Sequence, residues 1–238
     1  MKLEYQNGIR LTKHLHEMTP LEIGISRYEE MANQHFSNFG DPATPIDAER
    51  QAEKDEALKH LATEKRQLKT LYKIQAKLDE YREAGLKATT GSNTERRAAI
   101  SAMEAEEHHP TKTLERYMRA EGTPKPSARH TAHHIVPGKG KLKELTADTR
   151  YHLHIHGIRI NDPANGVYLV SSDKYAPHWS MPLSRGHKKY HLHEYERVLN
   201  EKITLLENID FIKTQLQIIA RMLQANEPKE AINKMASL

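Results

Sequence analysis

An α+β fold, predominantly helical, is what this sequence predicts, and three observations carry that expectation. Leu58, Leu61, Leu68, Leu71, Tyr72, Ile74, Leu78 and Tyr81 recur at helical spacing along one long stretch. Thr123-Pro124-Lys125-Pro126-Ser127 then interrupts the chain with two prolines that cannot continue a helix. Beyond it lie two short β-type runs, one holding His133-His134-Ile135-Val136 and one Gly166-Val167-Tyr168-Leu169-Val170, and after them a further long helical pattern. The expected organisation is a helical N-terminal region, 1–122, and a C-terminal region, 127–238, that ends in a long helix.

Each element has a local reason. Thr19-Pro20-Leu21-Glu22 reads as a helix start, with Thr as N-cap, Pro at the first position and Glu at the third, and the helix stops before Gly40-Asp41-Pro42. Thr44-Pro45-Ile46-Asp47 opens a second helix by the same chemistry; it runs to about Glu83, with Gly85 as its C-cap. Its narrow apolar stripe suits one arm of a helical hairpin or coiled coil. Thr89 to Asn93 is a turn, followed by helices near 94–108 and 111–121 that stop at Pro110 and Gly122. A first strand covers 129–136, Lys141–His156 reads as a helix closed by Gly157, and the second strand is 166–170. The last helix is expected to start near Ser184, carry both His187 and His191, and break near Asn208.

Composition narrows the function classes. With 37% hydrophobic and 29% charged residues, three Phe and one Trp, the 238-residue chain suits helices with wide solvated faces. No apolar run reaches membrane-spanning length, and the start Met1-Lys2-Leu3-Glu4-Tyr5 lacks a signal-peptide core, so export would need another route. Zero Cys excludes thiolate metal sites and disulfides, leaving His and carboxylates as the donors for a metal. Ten of the sixteen His fall between 130 and 193. The net charge is +4, yet residues 111–190 hold 14 Lys and Arg against 6 Asp and Glu, an excess of +8. A basic block around the histidines points to a polyanionic partner.

The chemistry centres on His133-His134. Adjacent residues of a strand point to opposite sides, so one imidazole can ligate a metal while its neighbour serves as a base. Downstream come Asn161-Asp162-Pro163-Ala164-Asn165-Gly166, a loop feeding a strand, and His187-Lys188-Lys189-Tyr190-His191, whose two histidines share one face of a helix. Strand, strand and helix in that order suit a metal site for cutting phosphodiester bonds. The alternation of His152, His154 and His156 suits a strand, but the preceding Lys-Leu-Lys-Glu-Leu and following Gly157 favour helix, so these read as non-ligands. His130, His178 and His193 read as surface or supporting residues, and His108-His109 as structural.

Ala132-His133-His134-Ile135-Val136-Pro137, Gly157-Ile158-Arg159-Ile160-Asn161-Asp162, Asn165-Gly166-Val167-Tyr168-Leu169 and His187-x-x-Tyr190-His191 together resemble the AHH nuclease family. This is a branch of the HNH/endonuclease VII group with the ββα-metal, or His-Me finger, fold, and the resemblance covers roughly residues 125–205. It implies a C-terminal ββα-metal nuclease domain with His133, His187 and His191 as ligands of one divalent ion. The ion is zinc or nickel by affinity for imidazole, or magnesium or manganese when phosphate and water complete the shell. His134 is then the general base, and Asn165, at the family's central Asn, holds the strands in register. Arg129, Arg185, Lys188 and Lys189 flank the motif and can bind phosphates without reading bases.

The same resemblance implies an antibacterial DNase effector of the kind carried by type VI and related secretion systems, acting in the target-cell cytoplasm and neutralised by a cognate immunity protein. Residues 1–122 would then bind a delivery component or adaptor. The competing expectations are a phage, restriction or repair HNH endonuclease, an RNase toxin, and a zinc-stapled module that binds nucleic acid without cutting it. A structural zinc site is saturated by four protein ligands and has no use for a spare His beside it.

Overall fold

The structure, a computed structural model, describes residues 5–6, 9–10, 17–40, 47–107, 111–190 and 192–227. Among these residues are seven α-helices and two two-stranded antiparallel sheets, a predominantly helical α+β arrangement. Contacts divide the chain into two compact units, Met1–Ala76 with Ala120–Gly122, and Lys77–Arg119 with Thr123–Leu238. The second unit thus takes in residues 77–119, upstream of the proline linker.

In the first unit β1 (Tyr5–Gln6) pairs with β2 (Ile9–Arg10). Helix α1 (Pro20–Phe39) begins with the expected capping box: Thr19 Oγ1 accepts from the Glu22 amide at 3.3 Å, and the Glu22 carboxylate accepts from the Thr19 amide at 2.8 Å. Helix α2 (Ala48–Thr90) starts behind Asp47, whose Oδ1 accepts from the Arg50 amide. Thr44, Pro45 and Ile46, expected to open it, lie outside the described residues. No side chain of α1 is fully buried. The Leu68 side chain of α2 packs onto the bare backbone of α1 at Gly24, where a Cβ would lie 2.6 Å from Leu68 Cδ2.

In the second unit α2 continues past Gly85 to Thr90, so Gly85 is not the expected C-cap. It is a place of close approach: a Cβ there would collide with the Gly157 carbonyl oxygen, and Gly157 itself turns through φ +77°. Helix α3 (Asn93–Glu104) follows a second capping box, Ser92 with Glu95. Helix α4 (Lys112–Ala120) leads through the linker to β3 (His130–His134), which pairs antiparallel with β4 (Gly166–Val170). Between the strands runs α5 (Lys143–Ile155), close to the span expected for it. Helices α6 (His193–Ile203) and α7 (Ile209–Ala225) close the chain, with Asn208 as the N-cap of α7.

The β3–β4 pair is covered on both sides. On one face Ala132 and Tyr168 pack against Leu114 and Met118 of α4. The other face joins the main core, where Val167 and Leu169 meet Leu153, Leu199, Ile203, Ile212 and Leu216. Full burial of each such aliphatic side chain contributes about 1.5–3 kcal/mol. The start of α5 lacks a local side-chain cap, and Glu196 of α6 substitutes. Its buried carboxylate accepts from the amides of Lys141 (2.8 Å) and Leu142 (2.6 Å) and from Thr146 Oγ1 (3.2 Å). This ties α5 to α6 and satisfies N-terminal donors that would otherwise be orphaned.

Candidate active site

The segment expected to be one helix from Ser184 is not one. Gly186 forms a parallel bridge with Val170, and its amide donates to Asp173 Oδ1 at 2.7 Å. That bridge holds the chain extended along the end of β4. Only a short 3₁₀ turn, His187–Tyr190, follows, and helix resumes at His193 after Leu192 in an extended conformation. The turn is anchored by Tyr190, whose hydroxyl accepts from the Arg185 amide at 3.0 Å and donates to Asn226 Oδ1 at the close of α7.

The turn brings His187 to His133. Their ring centroids lie 6.2 Å apart at an interplanar angle of 57°. His187 Nδ1 donates to the Ser171 carbonyl at 3.0 Å, which leaves its other nitrogen, Nε2, as the one bearing a lone pair. Burial is the largest influence on His187 and holds its pKa below the usual histidine value. His191 lies outside the described residues. Among the described residues no group of three or more His, Asp or Glu converges as a metal cluster.

His134, buried like His133, bonds elsewhere. Its Nε2 lies 3.0 Å from Asn161 Oδ1. Asn161 lies within the sequence motif without a role legible there; what defines it is a partner 55 residues upstream. Asn161 Nδ2 donates to Glu106 Oε1 at 2.8 Å and to the Glu107 carbonyl at 3.1 Å. Glu106 in turn accepts from Tyr81 Oη at 2.6 Å and pairs with Arg159 at 2.8 Å. Tyr81 Oη also accepts the Asn161 amide, and burial pushes the phenol pKa far up.

Asn165 is fully buried and bridges the loop to the strand. Its Oδ1 accepts from the Val136 amide at 2.8 Å, and its Nδ2 donates to the carbonyls of Val136 and Ile160. Next to it, Asp162 accepts a bidentate pair from Arg82 at 2.9 and 3.2 Å. His130 and His178 are buried and interlocked with Ser127 and Ser180, so they brace the 171–184 loop against β3. His152 donates to the Leu206 carbonyl and His156 to the His152 carbonyl, both inside the helical framework.

The four expected phosphate contacts, Arg129, Arg185, Lys188 and Lys189, are all exposed. Arg129 stacks over Tyr175 at 5.4 Å and Lys189 pairs loosely with Asp173 at 3.7 Å. On the same braced loop sits the chain's single tryptophan, Trp179, 82% exposed. No aromatic stacking platform is apparent from the residues alone; the exposure of Trp179 beside the buried His178 shows only in the fold.

Among the described residues no helix is long and apolar enough to cross a membrane. No curated protein and no solved structure matches the chain. Residues 114–225 match the family model of AHH, a nuclease family of the HNH/ENDO VII superfamily with conserved AHH. The match runs from α4 to the end of α7 and contains Ala132-His133-His134, both strands and the His187 turn. Over this span the chain is similar to the AHH nuclease family of the HNH/ENDO VII superfamily.

Proposed function

We propose that this chain is a divalent-metal-dependent endonuclease that hydrolyses DNA with little sequence preference. We further propose that it serves as an antibacterial toxin, delivered into rival cells and neutralised by an immunity protein. The observation that carries the nuclease reading is the division of labour between two adjacent histidines: His133 faces His187 across 6.2 Å, while His134 is held by Asn161 at 3.0 Å.

The metal reading has a geometric test. Two imidazoles that share an ion at about 2.0–2.1 Å in tetrahedral geometry place their ring centroids about 5 Å apart. The His133–His187 separation of 6.2 Å is wider than that, so the two rings would have to close slightly to grip an ion. The Ser171 carbonyl on His187 Nδ1 is the kind of outer partner that orients a ligating imidazole. His133 and His187 would hold the ion, with His191 added from outside the described residues. When bound, the ion supplies Lewis-acid stabilisation of charge on the phosphate and on the leaving 3′ oxygen.

The chain's own residues do the rest. His134 takes the proton of the attacking water, a role worth about 10²–10⁴-fold in rate. Asn165 keeps the loop and strand in register beneath it. Arg129, Arg185, Lys188 and Lys189 bind backbone phosphates, and Trp179 offers a face on which a base stacks; neither kind of contact distinguishes sequences. The toxin role is supported by the family resemblance and by a separate helical unit available for an adaptor or secretion component.

The test is incubation of the purified chain with supercoiled plasmid and with RNA, one divalent metal at a time. Plasmid nicking that EDTA abolishes and added metal restores is the expected result. Activity that persists in chelator overturns the metal dependence, and cleavage of RNA alone overturns the choice of DNA. For the toxin role, expression in a bacterial cytoplasm is expected to stop growth, and His134→Ala to relieve it.

A further inference from the structure

The bonds around Asn161 fix more than its own position. Its amide nitrogen faces two acceptors, Glu106 Oε1 at 2.8 Å and the Glu107 carbonyl at 3.1 Å. Neither can be matched by an amide oxygen, so the amide has one allowed orientation. Oδ1 then faces His134 Nε2 at 3.0 Å, and an oxygen in that place requires Nε2 to carry the proton. The lone pair of His134 is thereby assigned to Nδ1. Arg159 and Tyr81 hold the Glu106 carboxylate from its other sides. Glu106 and Tyr81 both precede residue 114, where the family match begins.

We infer that Glu106 is a positioning residue: through Asn161 it sets the tautomer of His134, so that the segment upstream of the family-matched span belongs to the catalytic apparatus. The inference rests on the proposed role of His134 as general base and adds to it the reason this chain keeps residues 77–107 in the nuclease unit. Without Glu106 the Asn161 amide loses the shorter and charge-assisted of its two anchors, and only the Glu107 carbonyl still opposes turning its nitrogen toward His134, so the flipped orientation becomes populated. That orientation demands the opposite tautomer, with the proton on Nδ1 and no lone pair there to receive the proton of water.

The experiment is ¹⁵N spectroscopy of the imidazoles in the full chain, with His134 assigned by its Ala variant, together with single-turnover and steady-state nuclease kinetics. The wild type is expected to show His134 with the proton on Nε2. Glu106→Leu is expected to populate the Nδ1–H form and to lower kcat by about 10- to 100-fold with KM within about twofold. Glu106→Gln still offers an oxygen to Asn161 Nδ2 and is expected to keep the Nε2–H form and most of kcat. A wild-type His134 carrying its proton on Nδ1 overturns the inference without any variant. A folded Glu106→Leu chain with unchanged tautomer and kcat overturns it as well. The failure of the base reading looks different: His134→Ala would then keep full activity whatever the tautomer.

Discussion

The two compact units of this chain bury very different things. In the first, α1 has no fully buried side chain, the residues of α2 up to Ala76 have none either, and Phe36 and Tyr72 are largely exposed. The second buries a continuous apolar core and, inside it, polar groups: His130, His133, His134, His154, Asn161, Asp162, Asn165 and Glu196. Burying a polar group is costly unless it is hydrogen-bonded, so such groups persist where bonds or function retain them. The contrast says that the first unit is a surface and the second a machine. It also says where substitutions will hurt.

The largest expected effect comes from the polar interior. His134→Ala lowers the plasmid cleavage rate by about 10²–10⁴-fold, while calorimetry still detects metal binding; cleavage at the wild-type rate would remove His134 from the mechanism. His133→Ala and His187→Ala are expected to weaken metal binding instead, and unchanged affinity in both would break the proposed ligand set.

Next is a pH dependence of stability. His154 is fully buried, neither ring nitrogen has a hydrogen-bond partner among the described residues, and burial, then Arg150 and Arg159, lower its pKa to about 4. In the unfolded chain the group takes up a proton near pH 6.5, and in the folded chain it does not until about pH 4. Between those values the unfolded state binds more protons, so stability falls as the pH falls, by roughly 3 kcal/mol in all, and is unaffected above pH 6.5. Denaturant melts of His154→Leu from pH 7 to pH 4 are expected to lose that slope; an unaltered slope would assign it to other groups.

Glu196→Ala strands the donors at the start of α5 and is expected to destabilise the second unit by about 2–3 kcal/mol, read as a drop in its denaturation midpoint. Trp179→Ala removes a stacking face and is expected to weaken DNA binding by about 1–3 kcal/mol without touching stability. If DNA binding stayed unchanged, the exposed ring would belong to a protein interface. The smallest effect belongs to the first unit: Phe36→Ser, at a side chain 70% exposed, is expected to move stability by less than about 0.5 kcal/mol. A larger loss there would erase the contrast between the units.

What the sequence made legible was local. The capping box of Thr19 and Glu22, the helix break near Asn208, the two strands and their order all depend on residues within a few positions of one another, and the structure contains each. Three features escaped because their causes are distant. Gly85 looks like a helix stop until its contact with Gly157 is seen, 72 positions on. His187 and His191 have helical spacing, but the bridge between Gly186 and Val170 imposes extended backbone just before them and leaves only a 3₁₀ turn. The brace on His134 was out of reach for the same reason, since Glu106 and Asn161 are 55 positions apart.

The 3₁₀ turn has a consequence for how tightly an ion would be held. Tyr190 clasps it to Arg185 on one side and to Asn226, in left-handed backbone at the end of α7, on the other. A ligand carried by a backbone already immobilised surrenders little freedom on coordination, and preorganisation of that sort raises affinity without a single added donor. Loosening the clasp at Asn226, far along the chain from any imidazole, would therefore register first as faster metal release.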